Sequence, residues 1–287
     1  MMNRIITIAL TLFVPAIANA ETFLVENGEP RAEIIIAKDS PRSTRLAARE
    51  LQTSIEKISG AKLNITTKPD ADVPVQIYVG ASLHTEQVGV TSDGLKHGAY
   101  RMVSGENWLV RIGDDTDFTP IEPWAKNNGD RKKLQARWEK ASGLPFGVPN
   151  GGMYKNRERM PKELAKEDGE YLWAFDERGS YNAVCGVLRR LGMRWYLPGE
   201  LGEVVPKMAS IPLPKIDETV KPDFEIRQFS VRFGTADDEV MRWAMRLGIR
   251  QTYGLMIAHG MHTMTHPESL KKQHPDWFAL YGGKRDT

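Results

Sequence analysis

The densest group of side chains that could do chemistry is the run AHGMHTMTH, which contains His259, His262 and His266. Histidines three and four residues apart share one face of a helix and could bind Zn²⁺ there. The run lacks the glutamate of an HExxH motif, and Gly260 disfavours a helix, so we predict no metal site and no cofactor. His259 and His262 are instead candidate substrate-binding residues, with plain loop histidines as the alternative.

Arg227 is the third candidate for substrate binding, because it alternates with the apolar Ile226 on a predicted strand. A structural ion pair is its alternative role. Asp114, Asp115 and Asp117 lack the loop length and closing glutamate of a calcium site, so we interpret them as a polar strand exit. Cys185 is the single cysteine, and its place on an apolar helix face predicts buried packing.

Residues 1–20 have the pattern of a secretory signal peptide, with Arg4, an apolar run, and the small residues Ala18-Asn19-Ala20 at the cleavage site. The apolar run is short for a bilayer span, so we predict export to a bacterial periplasm or the extracellular space. No membrane partner is then expected after cleavage, and a retained anchor is the alternative. The formal net charge is +2, or +1 once Arg4 is removed, which excludes a dedicated nucleic-acid surface.

Strands and helices alternate along the first part of the mature chain. Apolar runs predict strands over 32–37, 63–67, 75–79, 98–104 and 108–113, the last two as a hairpin. A helix over 41–59 has an apolar stripe and ends at Gly60. This order predicts an α/β (α+β) fold, in which a two-layer sheet-and-helix domain forms the N-terminal part of the chain.

A second helix is predicted over 181–191, where apolar residues recur at helical spacing. Ser180 is the expected N-cap, after the permissive Gly179, and Gly192 is the expected stop. A short buried strand should follow over 193–197. We therefore expect the apolar face of this helix to pack against a sheet.

Two stretches interrupt or end this domain. The pattern stops over 114–170, a long insertion in which a helix is predicted over 130–141. We interpret its charges as a solvated face, with a carbohydrate-facing lid as the alternative. The proline-rich run 211–222 marks a boundary. Beyond it a strand, a helix and a strand are predicted over 224–229, 237–247 and 250–256, the repeating unit of a parallel α/β fold.

The run RGSYNAVCGVLRRLGMRWYLPGELGEVVP resembles the end of the N-terminal domain in alpha-glucuronidase-type glycoside hydrolases, and more closely an uncharacterised bacterial domain family related to them. HPDWFALYGGKR at 274–285 and the helix 41–59 match the same family. The resemblance implies a hexosaminidase-like N-terminal domain over 21–215, followed by the start of a TIM barrel over 222–287. A barrel needs roughly 250 residues, so we expect this one to be incomplete.

The resemblance also implies a role in polysaccharide breakdown, with carbohydrate as the partner. Glycoside hydrolysis needs two carboxylates, which that family takes from later barrel strands. Glu200 and Glu203 match its domain-end motif, so we interpret them as structural or interdomain, and the catalytic residues stay unknown. The expected function is the non-catalytic N-terminal part of an exported glycoside hydrolase-like protein. The alternative is a non-catalytic periplasmic carbohydrate-binding or interaction module.

The apolar side chains of 223–287 lead to one more expectation. Two barrel strands would leave an open sheet edge and an uncovered apolar face. The sequence therefore predicts a poorly protected, aggregation-prone tail, whose removal should improve solubility.

Overall fold

The computed structural model of the chain describes residues 21–118, 176–225, 227, 238–249 and 267–286, with the isolated positions 133, 136, 137 and 140. The strands are β1 (Phe23–Glu26), β2 (Glu29–Pro30), β3 (Ala32–Ile35), β4 (Asn64–Thr66), β5 (Val75–Val79), β6 (Tyr100–Ser104), β7 (Trp108–Gly113), β8 (Arg194–Trp195), β9 (Glu203–Val204), β10 (Ile211–Pro212), β11 (Asp217–Val220), β12 (Ala279–Tyr281) and β13 (Lys284–Asp286). The helices are α1 (Arg42–Ser59), α2 (Leu83–Gln87), α3 (Gly179–Arg190), α4 (Asp238–Arg246) and α5 (Pro267–Gln273).

A six-stranded mixed sheet, in the order β11-β6-β7-β5-β3-β4, organises the first part of the chain. The strands β7, β5, β3 and β4 run parallel to one another. Strand β6 is antiparallel to both of its neighbours, β7 and β11. The predicted hairpin is confirmed, since β6 and β7 pair from Tyr100 opposite Gly113 to Ser104 opposite Leu109. Strands β10, β1 and β2 form a small second sheet.

Helices α1 and α3 pack side by side on one face of the large sheet. The predicted stripe of α1 is buried, with Leu51, Ile55 and Ile58 each at most 2% exposed. Gly60 ends this helix in the left-handed region, at φ +83°, as the sequence predicts. The opposite face of the sheet is covered by the segment after β5, through Val90 and Leu95. The prediction of a two-layer α/β domain is therefore confirmed.

Three local predictions differ from the structure. Helix α3 begins at Gly179, and Ser180 lies inside the helix instead of capping it. The strand expected over 193–197 is reduced to β8, because Tyr196 turns outward to 69% exposure and its amide bonds Gly202. The proline-rich run 211–222 also contains two strands, β10 and β11, and β11 pairs with β6 along the edge of the large sheet.

Helix α4 confirms the helix predicted over 237–247, and Gly248 follows it at φ +74°. It packs against α3, and its Met245 is 3% exposed within the same core as α1 and the sheet. The expectation of an uncovered tail is therefore wrong for this helix. Of the strand predicted over 224–229, residues 224 and 225 are not in strand conformation and Arg227 forms an isolated bridge. The strand predicted over 250–256 lies outside the described residues.

Candidate functional site

The end of strand β7 crosses the start of helix α3 with almost no space between the backbones. A Cβ added to Gly113 would lie 2.4 Å from the Cα of Gly179, so only glycine fits at this crossing. The amide of Gly179 donates to Asp114 O at 2.8 Å, and the amide of Gly113 donates to Ser180 Oγ at 3.1 Å. Ser180 therefore uses its hydroxyl to fix the strand to the helix, which explains why it does not act as an N-cap.

Asp115 satisfies the helix end that Ser180 was expected to cap. Its Oδ1 accepts the amide of Ser180 at 2.9 Å, and its Oδ2 accepts Thr44 Oγ1, from the first turn of α1, at 3.0 Å. Burial raises the pKa of Asp115 to about 6, although the hydrogen bonds from Ser180 and Thr44 act in the opposite direction. This carboxyl therefore joins the starts of both helices to the sheet.

Asp176 and Asp117 are likewise occupied by donors. Arg42 donates to both oxygens of Asp176, at 2.7 and 3.3 Å, and the amide of Phe118 donates to the same carboxylate at 2.8 Å. Asp117 accepts the amide of Arg42 at 3.1 Å. The acidic cluster thus works as the polar strand exit that the sequence predicts.

A polar cleft lies beside this crossing and is the candidate functional site. Its volume is about 210 Å³ with the space open to solvent included. Its lining consists of Gly98, Asp176, Glu177, Arg178, Asn182, Arg227, Gly248 and Ile249. The cleft therefore combines residues from the N-terminal domain with residues from the segment after Pro222.

Arg227, the candidate that lies within the described residues, reaches this cleft. Its guanidinium donates to Gly248 O at 2.8 Å, to Phe224 O at 2.7 Å and to His97 O at 3.0 Å. These three contacts are to backbone carbonyls, which accept the N–H groups of the guanidinium. Substrate binding by Arg227 stays a prediction, and His259 and His262 lie outside the described residues.

Gly98 and Asn182 line the cleft, and the sequence did not predict either of them as a site residue. His97 and Gly98 have φ values of +56° and +80°, so the chain turns sharply there and presents two carbonyls to the cleft. Asn182 Nδ2 donates to Gly98 O at 2.9 Å, while Arg227 occupies His97 O. The available sign was the position of Asn182 in the RGSYN turn, one helical residue beyond the tyrosine.

The C-terminal end of α4 is held by arginines from the N-terminal domain. Arg189 Nη1 donates to Arg246 O at 2.9 Å, and Arg178 Nη2 donates to Ile249 O at 3.3 Å. Arg227 adds its bond to Gly248 O. The carbonyls at a helix C-terminus carry partial negative charge, so cations placed there stabilise the helix end.

Arg246 is the central contact between α4 and the N-terminal domain. Its Nε lies 2.7 Å from Glu50 Oε1, its Nη1 lies 3.1 Å from Glu203 Oε1, and its guanidinium carbon lies 5.4 Å from the Trp195 ring centre. Burial lowers the pKa of Arg246, but Glu50 and Glu203 act against it and the pKa is raised overall. Lys57 also binds Glu203, at 2.6 Å. Glu203 therefore has the structural, interdomain role that the sequence predicts.

We call this set of contacts the seam. It consists of His97, Glu50, Arg178, Arg189, Trp195 and Glu203 in the N-terminal domain and of Arg227, Trp243, Arg246, Gly248 and Ile249 in the segment after Pro222. Trp243 Nε1 completes it with a bond of 3.0 Å to Trp195 O.

Comparisons with known proteins find similar solved structures. No family model matches the sequence, and no curated protein matches it. The chain is similar to a solved structure described as "A novel family GH115 4-O-Methyl-alpha-glucuronidase, BtGH115A, with specificity for decorated arabinogalactans". The TM-score is 0.42 at 17% identity, over 72% of this chain and 19% of that one. This chain thus spans about a fifth of the protein it matches, and a likeness at this level carries no conclusion about activity.

The described residues contain no group of three or more His, Cys, Asp and Glu side chains placed to hold a metal ion. Every helix in the described ranges is too short or too polar to serve as a membrane span. Cys185 is buried at 1% exposure, as predicted, and burial raises the pKa of its thiol.

Proposed function

We propose that this chain is the non-catalytic N-terminal part of an exported, alpha-glucuronidase-like glycoside hydrolase protein. In this proposal the N-terminal domain acts as a scaffold that orients the segment after Pro222, where the sequence places the first units of a barrel. The observation that carries it is the seam, in which Arg246 is buried between Glu50 and Glu203. A buried, doubly paired arginine specifies one arrangement of the elements that it joins.

The chemistry of the described carboxylates supports a non-catalytic role. A glycosidase needs one carboxyl group to donate a proton and a second to act as base or nucleophile, both facing the substrate. Asp176 is bound by Arg42 and Phe118, and Asp115 is bound by Ser180 and Thr44. Asp176 lines the cleft, but both of these carboxyl groups accept hydrogen bonds that hold the fold together.

A carbohydrate-binding module is the second candidate function, and exposed aromatic side chains favour it. Trp277 and Tyr281 are 66% and 83% exposed, beside the hairpin β12–β13 and within it. The indole of Trp277 stacks on His274, with 4.1 Å between ring centres and 8° between planes. A flat, amphipathic ring fixed by a neighbour can present its other face to a partly apolar, partly polar ligand such as a sugar.

Turnover and binding assays separate the two candidates. The purified chain is incubated with a panel of chromogenic α- and β-glycosides and with plant and algal polysaccharides. The scaffold proposal expects no product above that of the heat-denatured chain, and sustained turnover would refute a non-catalytic role. Saturable binding to a glycan array, lost in Trp277→Ala and kept in the matched surface variant Leu83→Ala, would favour the binding module.

Export is tested separately. We expect a bacterial host that expresses residues 1–287 to place the chain in its periplasmic fraction with Glu21 as the first residue. A chain confined to the cytoplasm would contradict export, and a periplasmic chain that still starts at Met1 would contradict cleavage and favour a retained anchor.

A further inference from the structure

Arg111 lies in the middle of the central strand β7, opposite Val79 of β5 and Met102 of β6. Its side chain is 0% exposed, and it is among the largest fully buried side chains of the described residues. Leu109, two residues earlier, belongs to the core that α1 and α3 cover. Because side chains alternate along a strand, Arg111 points into the same layer, between the sheet and the helices.

Among the described residues, two of the three guanidinium nitrogens of Arg111 have no hydrogen-bond partner. Nη1 donates to Val110 O at 2.9 Å. Nε and Nη2 are both buried, and neither has an acceptor within hydrogen-bonding distance in the part of the chain that the structure describes. Buried donors in native proteins are nearly always satisfied, so this pair calls for an acceptor.

The two influences on the pKa of Arg111 in the described part of the chain both disfavour its charge. Burial, and then the like charge of Arg190, lower the pKa of Arg111 to about 9, so the group still carries its proton at neutral pH. Proteins keep an ionised group in their interior when a counter-charge is placed against it. The missing acceptor should therefore be an anion.

The geometry of the two open nitrogens defines the kind of anion. The Nε–H and one Nη2–H bond point the same way, as the two parallel donors of the guanidinium fork. Such a fork matches two oxygens of one planar group, as in a carboxylate. We infer that Arg111 binds a small planar oxyanion, a carboxylate or bicarbonate, between the sheet and helices α1 and α3.

Binding of the anion to Arg111 would stabilise the folded state, because the buried position beside its two open donors forms only when the chain is folded. A ligand that binds only the native state raises the unfolding temperature with its concentration. At ten times its dissociation constant, a single bound anion should raise the unfolding temperature by about 3–6 °C for a domain of this size. The site is closed, so exchange of the anion should need opening of the helix layer. The inference does not depend on the proposed function.

The test measures thermal unfolding of the full chain in formate, acetate, bicarbonate and chloride at equal ionic strength and pH. We expect formate, acetate or bicarbonate to raise the unfolding temperature above its value in chloride, with saturation. The carboxylate and bicarbonate arms distinguish an organic acid from the inorganic ion. If the unfolding temperature of the wild-type chain is the same in all four salts, the inference is wrong, whatever any variant does.

Variants then locate the effect. Arg111→Met should abolish the response, whereas Arg101→Met, on the neighbouring strand and in an exposed pair with Asp217, should retain it. Arg111→Lys keeps the positive charge but loses the two parallel donors, so the apparent dissociation constant of the anion should rise at least tenfold. An undiminished response in Arg111→Lys or Arg111→Met would overturn the assignment, and the lysine variant keeps the test valid if the methionine variant does not fold.

Discussion

Replacing Arg246 with methionine should remove the central contact of the seam while keeping most of the side-chain volume. The change leaves Glu50 and Glu203 buried, each with a side chain 7% exposed, and Glu203 keeps its pair with Lys57 while losing the one with Arg246. Removing one partner of a buried pair costs about 3–5 kcal/mol, because the remaining charge stays in the interior. Whole domains have a free energy of unfolding of about 5–15 kcal/mol, so the loss should be large.

Urea unfolding of matched variants measures this loss. Arg31→Met is the control, because Arg31 pairs with Glu26 at 2.9 Å on the surface, where such pairs contribute about 0–1 kcal/mol. Glu50→Gln in the Arg246→Met background removes one unpaired charge, so the double variant should recover part of the lost stability. If Arg246→Met loses no more free energy of unfolding than Arg31→Met, the seam does not hold α4 to the N-terminal domain.

Three further predictions follow from single side chains. Gly98→Ala should lower the free energy of unfolding by at least about 1 kcal/mol more than Gly94→Ala. Both glycines have a positive φ, but of the two only Gly98 has neighbours that an added Cβ would meet, Arg227 and Asn182 at 2.8 Å. Equal losses in the two variants would contradict this close contact. The pKa of Asp115 is raised from 3.8 to about 6, so the native state binds a proton there more tightly than the unfolded chain does. The free energy of unfolding should therefore fall by about 3 kcal/mol as pH rises from about 4 to about 6, and then level off. Asp115→Asn should remove that dependence, and an unchanged pH profile in this variant would assign it to another group. Cys185 should react with thiol reagents only on unfolding, and fast labelling of the folded chain would contradict its burial.

Local patterns were sufficient to predict most of the sheet-and-helix layer. The stripe of α1 repeats at helical spacing and its end is a glycine in the left-handed region, so both could be inferred from residues within one helix. The hairpin of β6 and β7 is equally local, because three residues join its strands. The resemblance located the RGSYN turn but not the reason for its glycine, which is the contact with Gly113.

The remaining contacts join residues that are far apart in the sequence, and a local pattern cannot show them. The start of α3 is capped by Asp115, which lies 65 residues before Ser180 in the sequence. The prediction of Ser180 as the cap was wrong because it considered only residues next to the helix. Arg246 meets Glu50 across 196 residues, which is why the segment after Pro222 looked uncovered from its composition alone. Arg111 stands in an otherwise apolar strand, where its burial could be inferred from alternation but its lack of an acceptor could not.

Hydrogen exchange of α4 in the monomeric chain measures whether the N-terminal domain holds this helix in place. We predict that the amides of Leu247, Gly248 and Ile249, which donate to the carbonyls of Trp243, Met245 and Ala244, exchange about as slowly as those of α3. Arg246→Met should speed their exchange while leaving the strands β5 and β7 protected. Exchange of these amides at the rate of an unstructured peptide in the wild-type chain, with α3 still protected, would show that the N-terminal domain does not hold the segment that follows it.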